Sequence, residues 1–341
     1  MADVNTTIGP GKTYSSIDNW EDNFGGAADG DIRDQGIVTG TVYPMDDTAQ
    51  VVVSGWTTDS SHYISLVADA TARHAGVWDG DKYNLVFAND DVFYVGEDYV
   101  RLDGLQISSS GMNGNGDDII YVIGQSTGAN DIRLSNLIVK GAGDTTYNQN
   151  GILLNDADLV SYVWNCIVYN IGAPVSGASY CIRGVGATHC FYSCVTIGGN
   201  YGIACSSSAV VTAKNCYSGG SLTEDISYGT GTFAKTNCAS EDASADDAGG
   251  TETQTNCITG VALDTDTFVN ITAGTENFHL AADGLSPLED TGVDTSGDAA
   301  PLNFTTDIDG DTITTYPIGA DFRYVAVPSG YINELCLVFE S

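Results

Sequence analysis

Five aspartates in the middle of the chain have the side chains best suited to acid–base chemistry. They lie between short strand-like segments, at Asp117, Asp118, Asp144, Asp156 and Asp158. A glycosidase needs two carboxyl groups roughly 5 to 9.5 Å apart. The chain contains 45 Asp and Glu residues, so close carboxylates also arise by chance and a solvated acidic wall is the simpler interpretation. These residues are therefore candidates only if the protein is an enzyme, and no catalytic residue is assigned.

The stretch "DIDGD" offers oxygen ligands at alternating positions, Asp307, Asp309 and Asp311. Oxygen-only ligation suits Ca²⁺, although the glycine comes too early for an EF-hand loop. Calcium is the one cofactor that the sequence suggests. Zinc is not expected, because no cluster of Cys and His has the spacing of a zinc site.

The stretch "TARHAGVWDGDKY" (71–83) combines charged and aromatic residues in a loop-like setting. Arg73, His74 and Trp78 are candidates for a sugar-binding site in which the indole stacks on a sugar ring. The alternative is that these side chains pack over the neighbouring coils.

Charge and composition exclude several classes of protein. The 341 residues carry a formal net charge of −34, so a protein that follows phosphate backbones is excluded, and no nucleic-acid partner is expected. No run of about 18 apolar residues is present, so no membrane span is predicted. The N-terminus lacks the basic and apolar regions of a Sec signal, which predicts synthesis in a cytoplasm without signal-dependent export.

A recurring motif indicates the architecture. "WNCIVYN" (164–170) has relatives along the chain, each 19 to 32 residues after the last, among them "SNLIVKG" (135–141), "YSCVTIG" (192–198), "KNCYSGG" (214–220) and "TNCITG" (255–260). The second residue of each quoted copy is Asn or Ser, and the equivalent residue of an earlier copy is Gly104. These types tolerate a left-handed backbone, which predicts a tight bend between two strands. Strand-like repeats of this length without helical periodicity are typical of a solenoid.

The residue after the bend is predicted to point into the core. It is cysteine in the later copies, at Cys166, Cys194, Cys216, Cys238 and Cys257. A buried free cysteine behaves as a small apolar side chain, so a stacked core ladder is expected rather than a catalytic thiol. The nine cysteines form an odd number, and without a signal peptide no disulfide framework is expected.

One residue further along, the side chains should point outward and are mostly large and apolar: Ile138, Ile167, Val195, Tyr217 and Ile258. An unbroken exposed apolar stripe usually marks an interface. Two interpretations stay open, an interface with other subunits and a covering segment such as a long loop or the C-terminal strand.

A second family of strands lies between the bends, for example "GILLND" (151–156) and "YGIACSS" (201–207). We therefore predict an all-β fold, a single right-handed parallel β-helix of nine to ten coils that climbs about 4.8 Å per turn. Residues 1–60 would form the N-terminal cap and lead-in segment, 61–270 the coils and 271–341 an irregular C-terminal cap. The N-terminal cap would include a short helix in "TYSSIDNWEDN" (13–23), with Ser15 or Ser16 as N-cap. The C-terminal cap would include a last strand at 331–340.

These features resemble a known superfold. The "N-C-x-[IV]" and "G-I-x-L" segments over about 97–260 resemble the right-handed parallel β-helix of pectate-lyase-like proteins. The tail "FHLAADGLSPLEDTG…TDIDGD…IGADFR" (278–323) resembles the ending of many bacterial and metagenomic β-helix proteins. The opening "TIGPGKTYSSIDNWEDN", with residues 59–85, resembles β-helix proteins encoded among phage structural genes. No catalytic motif of a lyase is matched, and the fold hosts lyases, hydrolases, esterases and tailspikes alike.

The resemblance implies a non-enzymatic virion surface protein of a tailed phage, either a head decoration or a fibre- or spike-like appendage that contacts host glycans. Its expected partners are other virion proteins such as the major capsid protein, further copies of itself as a trimer, and a polysaccharide. The expected location is the virion surface, with an extracellular location as the alternative. The alternative functions are a polysaccharide lyase or glycosidase acting on acidic polysaccharide, and a secreted bacterial carbohydrate-binding or adhesive β-helix.

Overall fold

The computed structural model describes residues 3–24, 36–124, 130–175, 177–246, 251–281 and 284–321. Within these ranges the chain has one α-helix, α1 (Ile17–Phe24), and one 3-10 turn at Ser244–Asp246. The strands are β1 (Val4–Ile8), β2 (Val38–Val42), β3 (Asp46–Asp47), β4 (Val51–Val53), β5 (Ile64–Ala68), β6 (Asn84–Ala88), β7 (Phe93–Val95), β8 (Val100–Asp103), β9 (Gln106–Gly111), β10 (Ile120–Val122), β11 (Ile132–Ser135), β12 (Ile138–Lys140), β13 (Asn150–Trp164), β14 (Ile167–Ile171), β15 (Tyr180–Tyr192), β16 (Val195–Gly198), β17 (Tyr201–Ser206), β18 (Ala209–Lys214), β19 (Tyr217–Gly219), β20 (Glu224–Tyr228), β21 (Gly231–Thr236), β22 (Ala239–Ser240), β23 (Glu252–Thr255), β24 (Phe268–Asn270) and β25 (Asn277–Leu280).

The strands stack into three parallel ladders, which we name faces A, B and C. Face A has the order β1-β2-β5-β8-β11-β13-β15-β18-β21-β23, and face B has the order β3-β6-β9-β12-β14-β16-β19-β22. Face C consists of β4, β7, β10, the first halves of β13 and β15, β17 and β20. Strands β13 and β15 run through the corner between faces C and A, so these two faces form one continuous sheet.

One coil passes through the three faces in the order C, A, B, as in β10, β11 and β12. Each strand pairs in parallel with its equivalent one coil later, so no helical crossover is needed. The chain is therefore an all-β parallel β-helix, as the sequence predicts. Parallel crossovers are right-handed in almost all proteins, and the right-handed sense is expected here for the same reason.

The bend between faces A and B has the backbone conformation that the motif predicts. The bend residue has φ between 48° and 55° in Asn136, Asn165, Asn215, Asn237 and Asn256. Ser193 has φ 50° and Gly104 has φ 75° at the equivalent positions. Asn tolerates this left-handed region because its short side chain hydrogen-bonds locally, which explains why the motif recurs.

The cysteine ladder runs through the core just after this bend. Cys166, Cys194, Cys216 and Cys238 are fully buried, and Cys257 is half-buried at the last coil. All five are free thiols, and each interacts with the thiol of the next coil. The sulfurs therefore fill the narrow interior beside the bend as small apolar groups.

Helix α1 closes the first coils. The Ser16 hydroxyl accepts a hydrogen bond from the Asn19 N–H at 3.0 Å, which identifies Ser16 as the N-cap. Ile17 and Trp20 are fully buried, and the Trp20 ring stacks on Trp56 at 5.5 Å. The amphipathic helix thereby covers apolar surface that the first coil would otherwise expose. Among the described residues, no helix is long and apolar enough to cross a membrane.

The C-terminal segment does not simply close the end of the solenoid. The described residues 261–281 and 284–321, which we call the strap, run back along the bend and the outer surface of face B. The Asn237 amide donates to Thr291 O at 2.7 Å, and the Asn165 amide donates to Thr306 O at 2.8 Å. The predicted strand at 331–340 lies outside the described residues.

The strap covers the outward apolar stripe. Ile138, Ile167, Val195 and Tyr217 are at most 1% exposed. They form a second core with apolar side chains of the strap, Val261, Phe268, Phe278, Leu280, Leu288, Ile308, Ile318 and Ala320, and Ile258 packs at its edge. The stripe is thus covered by the chain itself, which corrects the alternative in which these residues form an exposed interface.

Candidate functional site

The outer surface of face C carries a column of chemically different side chains in register. The strand pairing places Tyr94, Tyr121, Leu153 and Arg183 at equivalent positions of successive coils. These side chains point outward because their neighbours along each strand, such as Ile120 and Ile152, fill the core.

Aromatic rings surround Arg183. Tyr180 and Tyr201 stack at 4.9 Å on adjacent coils, and the guanidinium lies 4.5 Å from the centre of the Tyr180 ring. Its Nε donates to the Ser206 hydroxyl at 3.3 Å. Tyr94 and Tyr121 meet edge to face at 5.7 Å two coils earlier. Face C therefore presents aromatic surfaces on both sides of one held cation.

An open pocket of about 370 Å³ lies against this column. Its floor is the strand surface, and its wall comes from the connections that follow face B. The lining residues are Asn115, Gly116, Asp118, Tyr121, Asn148, Asn150, Leu153, Ala178 and Arg183. We refer to it as the face C pocket.

Asp118 is the buried carboxyl of this pocket. Its Oδ1 accepts hydrogen bonds from the Asn150 backbone N–H at 2.9 Å and from the Asn150 amide at 2.7 Å. Burial raises the pKa of Asp118 to about 7, against the stabilising effect of the Asn150 bonds and the Arg183 charge. Asp118 therefore titrates near neutral pH.

Asp91 occupies the equivalent position one coil earlier, because Phe93 pairs with Ile120 in register. Equivalent positions of neighbouring coils are roughly 4.8 Å apart. The Asp118 N–H donates to Asp91 Oδ1 at 2.7 Å, and burial raises the pKa of Asp91 to about 6. The two acids form a stacked pair of carboxyl groups that hold protons more tightly than exposed aspartates do.

Two amide oxygens of the pocket residues are left without partners. Asn148 Oδ1 and Asn150 Oδ1 are buried and accept no hydrogen bond within the described part of the chain. Buried polar atoms are usually hydrogen-bonded, so such exceptions are typical of positions that meet a ligand or an ordered water.

Of the other candidate acids, Asp117 is adjacent to Asp118 in the chain, whereas Asp144, Asp156 and Asp158 lie in other loops or strands. Asp156 is six residues beyond Asn150 on β13, which places it about 20 Å from Asp118, beyond the separation of a glycosidase pair. Its Oδ1 accepts the Asp158 N–H at 2.9 Å in a local turn. Asp117 accepts the Gly114 N–H at 3.1 Å, and Asp144 accepts the Thr146 N–H at 2.7 Å, so both carboxylates stabilise their own loops.

Arg73, His74 and Trp78 pack against the coils. Arg73 pairs with Asp103 at 2.7 Å. His74 is buried, and its Nε2 contacts Asn136 O at 2.8 Å. Burial lowers the pKa of His74 to about 4, so the ring is neutral. Trp78 is half-buried at the edge of the second core, as expected for the packing alternative.

The three aspartates of "DIDGD" do not point to one centre. Asp307 Oδ1 accepts the N–H groups of Asp309 (3.1 Å) and Asp311 (2.9 Å), which shapes a tight turn. Asp311 is exposed. A calcium ion at this turn stays a prediction.

Asp118 was a candidate acid on sequence grounds, but its neighbours in the pocket and on the adjacent coil, Asp91, Tyr121, Asn150 and Arg183, were not predicted. Aligning "DVFYVG" (91–96) with "DIIYVIG" (118–124) would have paired Asp91 with Asp118, because both strands begin with the same residue. The position of Arg183 depends on the register across connections of unequal length, which sequence spacing does not give.

No family model matches the chain, and no curated protein matches its sequence. A solved structure, the crystal structure of pectate lyase Pel9A, is similar with a TM-score of 0.40 and 13% sequence identity, over 95% of this chain and 97% of that chain. The parallel pairing of the strands, rather than this likeness, defines the protein as a parallel β-helix.

Proposed function

We propose that the protein is a non-enzymatic, glycan-contacting surface protein of a tailed-phage virion. The observation that carries the glycan contact is the face C pocket. It combines the Tyr121 ring, the Arg183 guanidinium and two amide oxygens without partners in the described residues, and a sugar meets these with its apolar ring faces and its hydroxyl groups.

The open shape of the pocket supports binding along a chain. Side chains in register with Arg183 continue along face C towards the earlier coils, through Leu153 and Tyr121 to Tyr94. A glycan chain can therefore lie across several coils without entering an enclosed cavity. Preformed strands supply a rigid surface, so little conformational entropy is lost on binding.

The virion setting is supported by the resemblance of the N-terminal third to β-helix proteins encoded among phage structural genes. Capsid proteins as partners and a trimer are part of this proposal. Because the strap covers the face B stripe, the trimer contact would use another surface. Capsid and tail genes beside the coding sequence would support the assignment, and an unrelated metabolic operon would contradict it.

A glycan array, followed by titration of each hit, tests the binding. We expect Arg183→Ala to weaken binding at least tenfold. Arg133→Ala is the matched control, because Arg133 is an outward arginine on face A paired with Asp131 at 2.5 Å. Equal binding by both variants, or no hit with wild-type protein, would refute the pocket as a glycan site.

Glycoside hydrolysis is the second candidate, and the Asp91–Asp118 pair favours it. A carboxyl group with a pKa near 7 can act as a general acid, and the stacked position provides the second carboxyl. Reducing-sugar release from a panel of polysaccharides, lost in Asp118→Asn and kept in Asp156→Asn, would establish an enzyme. Binding without turnover would support the non-enzymatic proposal.

A further inference from the structure

The strap brings together three potential metal ligands from distant positions in the sequence. His279 lies on β25, Asp309 in the "DIDGD" turn and Asp321 at the end of the strap. Their ligand atoms all lie within 4.8 Å of one another. This cluster is separate from the face C pocket, and of the aspartates in the turn it includes Asp309 alone.

The carboxylates of this cluster are not fully hydrogen-bonded. Asp321 is 2% exposed, and its Oδ2 has no partner within the described ranges. Asp309 Oδ1 is also buried without a partner there. A buried carboxylate oxygen without a partner is costly, and a cation between the two carboxylates would offset that cost.

His279 is oriented as metal-binding histidines usually are. Its Nδ1 hydrogen-bonds to Asn277 Oδ1, and its Nε2 faces Asp309 Oδ2 at 2.8 Å. A ligating histidine almost always donates its other ring N–H to a fixed acceptor, which sets the tautomer and orients the ligating nitrogen. Asn277 plays that part here.

Gly76 closes the cluster from the side of the coils. A β-carbon at this position would lie 2.5 Å from Asp309 Oδ1 and 2.7 Å from His279 Nε2. Its φ of 64° also favours glycine. The sequence thus keeps the space beside both ligand atoms free of side chain.

We propose that His279 Nε2 and the carboxylates of Asp309 and Asp321 form a structural site for a divalent transition-metal cation of the zinc class. One imidazole nitrogen with two carboxylates suits such ions, whereas Ca²⁺ prefers six to eight oxygen ligands. The metal would join β25, the turn and the end of the strap. It would act as a clamp that holds the strap in place.

Isothermal titration of the chelator-treated full chain with Zn²⁺ tests the site. We expect one ion per chain, a rise of the thermal midpoint that grows with Zn²⁺ concentration, and no comparable effect of Ca²⁺. Co²⁺ should give visible absorption bands that Zn²⁺ abolishes. Asn277→Ala should weaken the affinity about tenfold, because it releases the imidazole without removing a ligand.

Asp321→Asn, nearly isosteric with the native residue, should abolish the 1:1 binding while the circular dichroism spectrum is retained. Two matched controls should keep it: Asp311→Asn, in the same turn, and His62→Gln, at a half-buried histidine paired with Asp59 at 2.8 Å. Failure of wild-type protein to bind Zn²⁺ would overturn the proposal. So would unchanged binding in Asp321→Asn. If Asp321→Asn does not fold, the Co²⁺ spectrum of wild-type protein decides, since strong near-ultraviolet charge-transfer bands would place the metal on cysteine thiolates and exclude the site.

Discussion

The carboxamide of Asn215 forms a reciprocal pair of hydrogen bonds with the backbone of Val293. Its Nδ2 donates to Val293 O at 2.8 Å, and its Oδ1 accepts the Val293 N–H at 2.8 Å. The side chain thus pairs with the strap as a neighbouring strand would. Asn215 also adopts the left-handed conformation of the bend between faces A and B. One asparagine therefore forms the bend of the coil with its backbone and binds the strap with its side chain.

Asn215→Ala should lower the free energy of unfolding by about 2–4 kcal/mol. The change removes two buried hydrogen bonds and places alanine in the left-handed region. Urea unfolding measures the loss, and limited proteolysis should show earlier cleavage in the strap. Asn256→Ala is the control, because Asn256 has φ 53° at an exposed bend and should show only the backbone cost. Equal losses in both variants would mean that the pair with Val293 contributes nothing.

Asp118→Asn should make stability less sensitive to pH between about 4 and 7. The native pKa is raised to about 7, so the folded protein binds more protons than the unfolded chain in this window, and wild-type stability falls as pH rises. The amide cannot ionise, which removes this part of the slope, on the order of a few kcal/mol. Denaturant unfolding at a series of pH values measures it.

Asp294→Asn is the control for the loss of one negative charge. Hydrogen bonds from Ser296 lower the pKa of this exposed carboxyl, so its contribution to the slope has the opposite sign and lies below pH 4. A wild-type slope in Asp118→Asn would contradict the burial of that carboxyl.

The thiols of Cys166, Cys194, Cys216 and Cys238 should resist alkylation in the native protein. All four are fully buried. Cys190 is half-buried, and burial raises its pKa to about 11, so only about 0.1% is thiolate at pH 8 and it should react slowly. Mass spectrometry of native and urea-treated samples measures how far the four ladder thiols and Cys190 are alkylated. Rapid native labelling of any of the four would place the ladder outside the core. Cys336 lies outside the described residues.

Asp298→Asn should cost no more than about 1 kcal/mol. Asp298 pairs with Lys214 at 2.6 Å, but both side chains are partly exposed, and such pairs contribute little. Thermal unfolding at low and high salt measures the effect. A loss as large as that of Asn215→Ala would show that ion pairs, and not the bend amides, hold the strap.

The fold was predictable because its determinants are local and repeated. A left-handed Asn, Ser or Gly followed by Leu or Cys marks the bends from Gly104 to Asn256, and period-two alternation gives the inward faces. The N-cap at Ser16 was also within reach of sequence analysis, since it depends on adjacent residues.

The strap and the pocket depend on contacts between distant residues. Asn165 and Thr306 are 141 positions apart, and nothing in their spacing signals that they meet. The neighbourhood of Arg183 likewise depends on how connections of unequal length set the register. The sequence showed an apolar stripe on face B, but only the structure shows that the chain covers it.

The strap has a consequence for how the protein unfolds and evolves. A simple solenoid is a one-dimensional array in which each repeat touches only its neighbours, so its ends can fray and repeats can be gained or lost. Here a single segment hydrogen-bonds to Asn165, Asn215 and Asn237, which lie on turns up to three coils apart, and so links turns that do not touch one another. Inserting or deleting one repeat between these asparagines would move the later ones away from their hydrogen-bond partners in the strap, so the number of coils is constrained. The turns that the strap spans should also unfold together.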